Sequence, residues 1–179
     1  MSDKVKLQDK TFKVMIPAND IDKAIENVAR ELDTRYQGKT PVFLGVLSGS
    51  FLFLSDLVRK INFDNRLAFV KLSSYEGTQS TGVVKQELGV DFDIEGQDII
   101  IVEDIVETGH SMNHLLAYLR DKKPASIAIC TLFFKPEKFL YDYPIDYKVF
   151  SIGNEFIVGY GLDYNQLGRN LKDIYVVEE

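Results

Sequence analysis

The stretch IIIVEDIVETGHSM, Ile99 to Met112, sets three carboxylates and a glycine turn directly behind an apolar run. Glu103 and Asp104 are adjacent acids at the end of that run. Two carboxylates placed side by side accept hydrogen bonds from the vicinal hydroxyls of a ribose. They also suit Mg²⁺, which takes oxygen ligands, one or two of them carboxylates, alongside substrate oxygens. The plain alternative is a pair of solvated acids at a strand end. Glu107, Thr108, Gly109, His110 and Ser111 follow and lead into a helix pattern. Backbone N–H groups at a helix start point at an anion, and the helix dipole adds roughly 0.3–1 kcal/mol. Gly109 permits positive φ or a close backbone approach, and the hydroxyls of Thr108 and Ser111 can donate to phosphate oxygens. Alone, this segment reads equally as an ordinary helix cap. Together with the two acids just before it, it describes a grip for ribose 5-phosphate.

Other phosphate devices are missing from the sequence. There is no G-x-x-x-x-G-K-[ST] and no G-x-G-x-x-G, so nucleotide readings of those types fall. His110 and His114 stand four apart, but without H-E-x-x-H they do not make a zinc site, and His114 reads as a surface or packing residue. The single cysteine, Cys130, lies in the apolar run SIAICTLFF and reads as a buried, inert thiol. The formal net charge is −6, and no basic run marks a nucleic-acid binder. An anionic ligand would therefore need a local device: backbone amides, a metal or a few placed cations.

These residues must be positioned by a scaffold. With 179 residues, 45% of them apolar, one domain with a substantial core is expected. No apolar run reaches the ~18 residues of a transmembrane helix. MSDKVKLQDKTFKV has no apolar h-region, so no signal peptide is expected, and a reducing cytoplasm fits the cysteine usage. Strand patterns fall at 12–16, 41–47, 66–73, 83–90, 97–103, 125–134, 147–152, 156–158 and 174–177. A helix capped by Asn19 or Asp20 is predicted to end near Gly38, with Ile21, Ala24, Ile25, Val28 and Leu32 on its apolar face. Further helices are predicted over 51–61 and 111–122. The polar stretch SSYEGTQSTG, 73–82, reads as a loop. Alternating strands and helices argue for an α/β fold with a central, mostly parallel sheet flanked by helices. Ligands in such sheets bind beyond the carboxyl ends of the strands. Three of these strands end in polar loops that one rim could gather: 48–50, 73–82 and 103–111.

IIIVEDIVETGHS closely resembles the phosphoribosyl pyrophosphate motif of type I phosphoribosyltransferases. From about Pro41 to Val177 the chain is similar to the hypoxanthine and hypoxanthine-guanine members. VLSGSFLFLSDL resembles their pyrophosphate loop. That implies a cis peptide at Leu47–Ser48, with Gly49 and Ser50 completing the loop and Ser48 standing where many relatives have lysine. SSYEGTQSTG resembles a flexible loop that closes over the reaction centre, with Ser74 and Tyr75 in the matching place. The resemblance assigns Glu103 and Asp104 to the ribose hydroxyls and Mg²⁺, and residues 107–111 to the 5′-phosphate. Glu107 occupies the place of an aspartate thought to handle the purine N7 proton, which makes it the candidate general base with a side chain one carbon longer. Lys135 matches the lysine on the purine 6-oxo group. Phe156 matches the aromatic that stacks on the base, Ile157 a backbone contact to the base edge, Asp163 the residue near a second metal on the base side, and Arg169 the pyrophosphate-binding arginine.

The resemblance implies a single phosphoribosyltransferase domain. Its core would span about 38–150, with a small hood from about 1–16 and 151–179. It implies a Mg²⁺-dependent transfer of ribose 5-phosphate from phosphoribosyl pyrophosphate to a 6-oxopurine such as hypoxanthine or guanine. The products would be a nucleoside monophosphate and pyrophosphate, and the assembly a homodimer or homotetramer. No nucleic-acid or membrane partner is expected. Two other readings stay open: a regulator of the same fold that binds the donor without transfer, and a transferase for xanthine, adenine or uracil.

Overall fold

The apolar runs of the sequence become strands buried on both faces, and their side chains sort by parity. The computed structural model describes residues 4–74, 84–88 and 93–178. The strands are β1 (Lys4–Leu7), β2 (Lys10–Ile16), β3 (Val42–Leu47), β4 (Arg66–Ser74), β5 (Val84–Leu88), β6 (Asp98–Val106), β7 (Ser126–Phe134), β8 (Tyr147–Ser151), β9 (Ile157–Val158) and β10 (Ile174–Val177). The helices are α1 (Ala18–Arg35), α2 (Phe51–Val58) and α3 (His110–Arg120). Phe43, Ile100, Val102, Cys130 and Leu132 face one side of the sheet, in a core shared with α1 and α2. Their neighbours Val42, Leu44, Ile99, Ile101 and Ile129 face the other, against Met112, Leu115, Leu116 and Leu119 of α3. Successive strand residues point to opposite faces, so one hydrophobic run feeds both cores.

The main sheet has the order β5-β4-β3-β6-β7-β8. All its pairings are parallel except β4 with β5 at one edge. A second, antiparallel sheet, β1-β2-β10-β9, joins the two ends of the chain into a hood around Phe12, Val158 and Tyr175. Because β4, β3 and β6 are parallel neighbours, the turns that follow β3 and β6 open on one rim. Tyr75 and the rest of the predicted closing loop lie outside the described residues, while Ser74 is the last residue of β4.

Several boundaries differ from the sequence reading. Neither Asn19 nor Asp20 caps α1: the cap residue is Pro17, and both polar residues sit in the first turn. The Ala18 N–H donates instead to the Asp173 carboxylate at 2.7 Å, a partner that no local pattern announces. The helix stops at Arg35, short of Gly38. β6 runs on to Val106, past the predicted end at residue 103, so Glu103 and Asp104 lie inside the strand. The reason is β7, which continues to pair through Glu103–Thr131, Ile105–Phe133 and Val106–Phe134. β1 was not read from the sequence; it pairs with β2 through alternating exposed and half-buried residues.

Candidate active site

The site begins where β6 and β3 stop. Glu103 and Asp104 are both half-buried. Burial pushes the Glu103 carboxyl well above the usual carboxylate range, and the neighbouring Asp104 charge pushes it further. Asp104 accepts the Ile105 N–H at 3.0 Å, and its carboxylate lies directly on the Cα of Gly49, where any Cβ would collide with it. This contact couples the acidic strand to the turn after β3. That turn contains a cis peptide at Leu47–Ser48, as the resemblance implies. Ser48 is exposed, Gly49 and Ser50 are buried, and Ser50 Oγ donates to the Val46 carbonyl at 2.6 Å.

The chemistry of the acid pair fits Mg²⁺. Two crowded carboxylates, one with its proton affinity raised, form an electrostatic conflict that a divalent cation relieves. Among the described residues no group of three or more metal-ligating side chains occurs. A magnesium ion held by this pair would take its remaining oxygens from substrate and water. Asp163 is engaged elsewhere: it pairs with Arg169 Nη2 at 2.5 Å and accepts the Gln166 N–H at 2.8 Å.

Residues 103 and 105–112 line a small cavity of about 150 Å³ at the start of α3. Gly109 is the helix N-cap at φ +85°, a conformation that costs an L-residue roughly 1–2 kcal/mol. Space adds a second reason for glycine there. A Cβ would meet Phe139 and Tyr143 at 2.7 Å and Tyr141 at 2.9 Å. The segment 139–143 thus braces the turn from behind. Tyr143 donates its hydroxyl to the Gly109 carbonyl at 2.7 Å, and burial raises its phenol to about 12. Tyr141 Oη and His110 Nδ1 are 2.7 Å apart. His110 and Ser111 are exposed and Thr108 half-buried, whereas His114 is exposed on α3.

Beside the turn at 107–111, the end of β7 delivers Lys135. Read on its own, a lysine before a proline is a surface residue. Here it is 3% exposed. A buried ammonium needs partners, and it has two: Glu107 Oε1 at 2.8 Å and the Glu155 carbonyl at 3.0 Å. Glu107 also receives Lys138 Nζ on its other oxygen at 3.3 Å. Burial works to raise the Glu107 carboxyl, but the two lysines outweigh it and hold the group below the usual range. One residue beyond Glu155, Phe156 is 45% exposed, although a lone phenylalanine would be read as core. Its ring packs against Phe12 and Tyr164 at centroid distances of 6.3 and 5.8 Å. Ile157 is buried in β9 and pairs with Val176.

The hood turn closes the constellation. Arg169 Nη1 donates to the Gly161 carbonyl at 2.8 Å. Gly161 in turn lies so close to the Gly49 carbonyl that a Cβ would overlap it. Tyr160 donates to Asp56 of α2. Arg169 and Asp163 therefore belong to a turn that sits on the 47–50 loop. Lys138, the Glu155 carbonyl, Tyr141, Tyr143 and Gly161 were not read from the sequence. Of these only Lys138 left a signal there, three residues after Lys135 in KPEK.

Comparison with known proteins agrees with this geometry. Residues 17–165 match the model of the phosphoribosyl transferase domain. A hypoxanthine-guanine phosphoribosyltransferase of Aquifex aeolicus is 36% identical over 97% of this chain and 98% of its own length. One of Streptococcus pyogenes is 41% identical, with 97% of each chain covered. A hypoxanthine-guanine phosphoribosyltransferase structure from Bacillus anthracis superposes with a TM-score of 0.88 at 35% identity, covering 93% of this chain and 98% of that one. The chain belongs to the phosphoribosyl transferase family. Within that family it is a member of the hypoxanthine-guanine phosphoribosyltransferases.

Proposed function

We propose that the chain transfers ribose 5-phosphate from phosphoribosyl pyrophosphate to N9 of a 6-oxopurine, releasing pyrophosphate and a nucleoside monophosphate. The observation that carries the substrate class is Lys135. An ammonium has three donors and no acceptor, and two of its donors are directed at Glu107 and the Glu155 carbonyl. The third suits a 6-oxo oxygen. An adenine amino group in the same place would set donor against donor, and sites built on such polar contacts reject the wrong partner by up to ~10⁴–10⁵.

Around that contact the other roles follow. Phe156 offers an exposed ring edge and face for the base, and Ile157 its backbone. Glu107 is anionic at neutral pH and suits the N7 proton. Glu103 and Asp104 address the ribose hydroxyls and would hold Mg²⁺, which supplies charge neutralisation for the donor. Thr108 to Ser111 receive the 5′-phosphate. The 47–50 loop and Arg169 face the pyrophosphate and stabilise its developing charge, while Asp163, paired with Arg169, orients it and would serve a second metal. The sugar centre becomes oxocarbenium-like as the bond to pyrophosphate breaks. The whole chain acts as one domain, in a cytoplasmic setting, as a dimer or tetramer.

The test is direct: incubate the protein with Mg²⁺ and donor, adding hypoxanthine, guanine, xanthine, adenine or uracil in turn, and follow nucleotide and pyrophosphate. Nucleotide is expected from the 6-oxopurines and not from adenine. Donor binding without turnover of any base would favour the regulator reading.

A further inference from the structure

Glu107 has one more rotatable bond than an aspartate, and each added torsion multiplies the places its carboxylate can go. In this protein both oxygens are nevertheless pinned, Oε1 by Lys135 at 2.8 Å and Oε2 by Lys138 at 3.3 Å. The two lysines are set by one device. Pro136–Lys138 forms a single 3-10 turn, and the Lys138 N–H donates to the Lys135 carbonyl at 3.1 Å. In a 3-10 turn residues i and i+3 eclipse, so KPEK sends both ammonium groups toward the same side. They differ in surroundings. Lys135 is almost fully buried and has a second acceptor in the Glu155 carbonyl, whereas the Lys138 side chain is 39% exposed.

We propose that Lys138 is a positioning residue for the base chemistry: it holds the outer edge of Glu107 so that the longer carboxylate stays aimed while Lys135 engages the purine. The proposal rests on the reading of Glu107 as the group that meets the base. When Lys135 shares its charge with a 6-oxo oxygen, Lys138 remains as the full partner of the carboxylate. The charged side chains directed at Glu107 are Lys135 from the end of β7 and Lys138 from the turn. From the segment before β9 the contact is the main-chain carbonyl of Glu155, one bond away through Lys135. Both lysines contribute to keeping the Glu107 carboxyl below its usual range.

The experiment compares wild type, Lys138→Met, Lys138→Arg and Glu107→Gln. It reads kcat/KM for hypoxanthine across pH, and KM for phosphoribosyl pyrophosphate. Lys138→Met is expected to lower kcat/KM for the base about 10-fold, less than the ~10²-fold of a full 1 Å misplacement. Its acid limb should move to higher pH, because the carboxylate loses a cation that favours its charged form. The donor KM should stay at the wild-type value, and Lys138→Arg should restore the profile. A Lys138→Met profile that superimposes on wild type overturns the proposal, as does an equal loss for both substrates that arginine does not repair. If Glu107→Gln is slow while Lys138→Met is normal, only the positioning role fails. If Glu107→Gln is itself unchanged, the reading of Glu107 fails and takes the proposal with it.

Discussion

The Glu107 carboxylate is held between two ammonium groups. The sequence shows that it is one carbon longer than the family resemblance leads one to expect. The structure shows where that length goes: the carboxylate spans Lys135 and Lys138. If it assists proton transfer, Glu107→Gln should lower kcat by ~10²–10⁴. Glu107→Asp withdraws the carboxylate by about a bond length and should cost up to ~10²-fold. Steady-state rates with saturating donor decide both, and an unchanged rate in Glu107→Gln removes the general-base role. A pH dependence of stability follows with a definite sign. The carboxyl is lowered from its ordinary value of 4.5. Its stabilising contribution is thus full above about pH 4.5 and is lost as pH falls through the lower folded-state value. The Tm difference between wild type and Glu107→Gln should narrow on acidification through that window. Residue types alone hid two facts here. Lys135 is buried and Phe156 exposed, and both invert the ordinary habits of lysine and phenylalanine.

Among the elements, the turn between β6 and α3 is constrained by both backbone conformation and space. Gly109 sits at φ +85° with three aromatic side chains packed on its Cα. Gly109→Ala combines a left-handed alanine, roughly 1–2 kcal/mol, with overpacking of typically 1–3 kcal/mol. A lower Tm and a raised KM for the donor are expected together. A variant with wild-type values of both would mean that the turn is not the phosphate cradle. Hydrophobic periodicity made most elements legible, because apolar runs of this length can only be buried strands or amphipathic helices. The failures share one physical cause. The end of β6 is set by its neighbour β7, the cap of α1 by Asp173 and the bracing of Gly109 by residues 139–143. Each depends on a partner distant in sequence. The cis bond at Leu47–Ser48 was accessible only through resemblance, since no composition or spacing encodes it.

At the scale of the whole molecule the problem is charge. In the proposed function a protein of net charge −6 would receive a densely anionic donor beside two crowded carboxylates. The overall field would not attract that donor, so the proposed function assigns attraction to local amides, Arg169 and a metal. Chelating divalent cations is expected to abolish turnover and weaken donor binding, and added Mg²⁺ should restore both; turnover that persists in chelator would contradict the assignment of Glu103 and Asp104. Architecture joins the two halves of the site. The hood turn rests Gly161 on the Gly49 loop and fixes Tyr160 to Asp56, which brings Arg169 to the rim of the parallel sheet. In the proposed function Lys135, just after β7, serves the purine, and Glu103 and Asp104, in β6, serve the ribose, so these two functions should separate by mutation. Lys135→Met tests that separation and the substrate class at once, by titrating donor binding and measuring hypoxanthine turnover on the same protein. Donor affinity is expected to match wild type. Loss of a hydrogen bond to a charged group, about 1.5–3 kcal/mol, should lower kcat/KM for hypoxanthine by about 10- to 10²-fold. Unchanged hypoxanthine turnover in Lys135→Met, or no turnover in the wild type, would contradict a 6-oxopurine phosphoribosyltransferase built on this lysine.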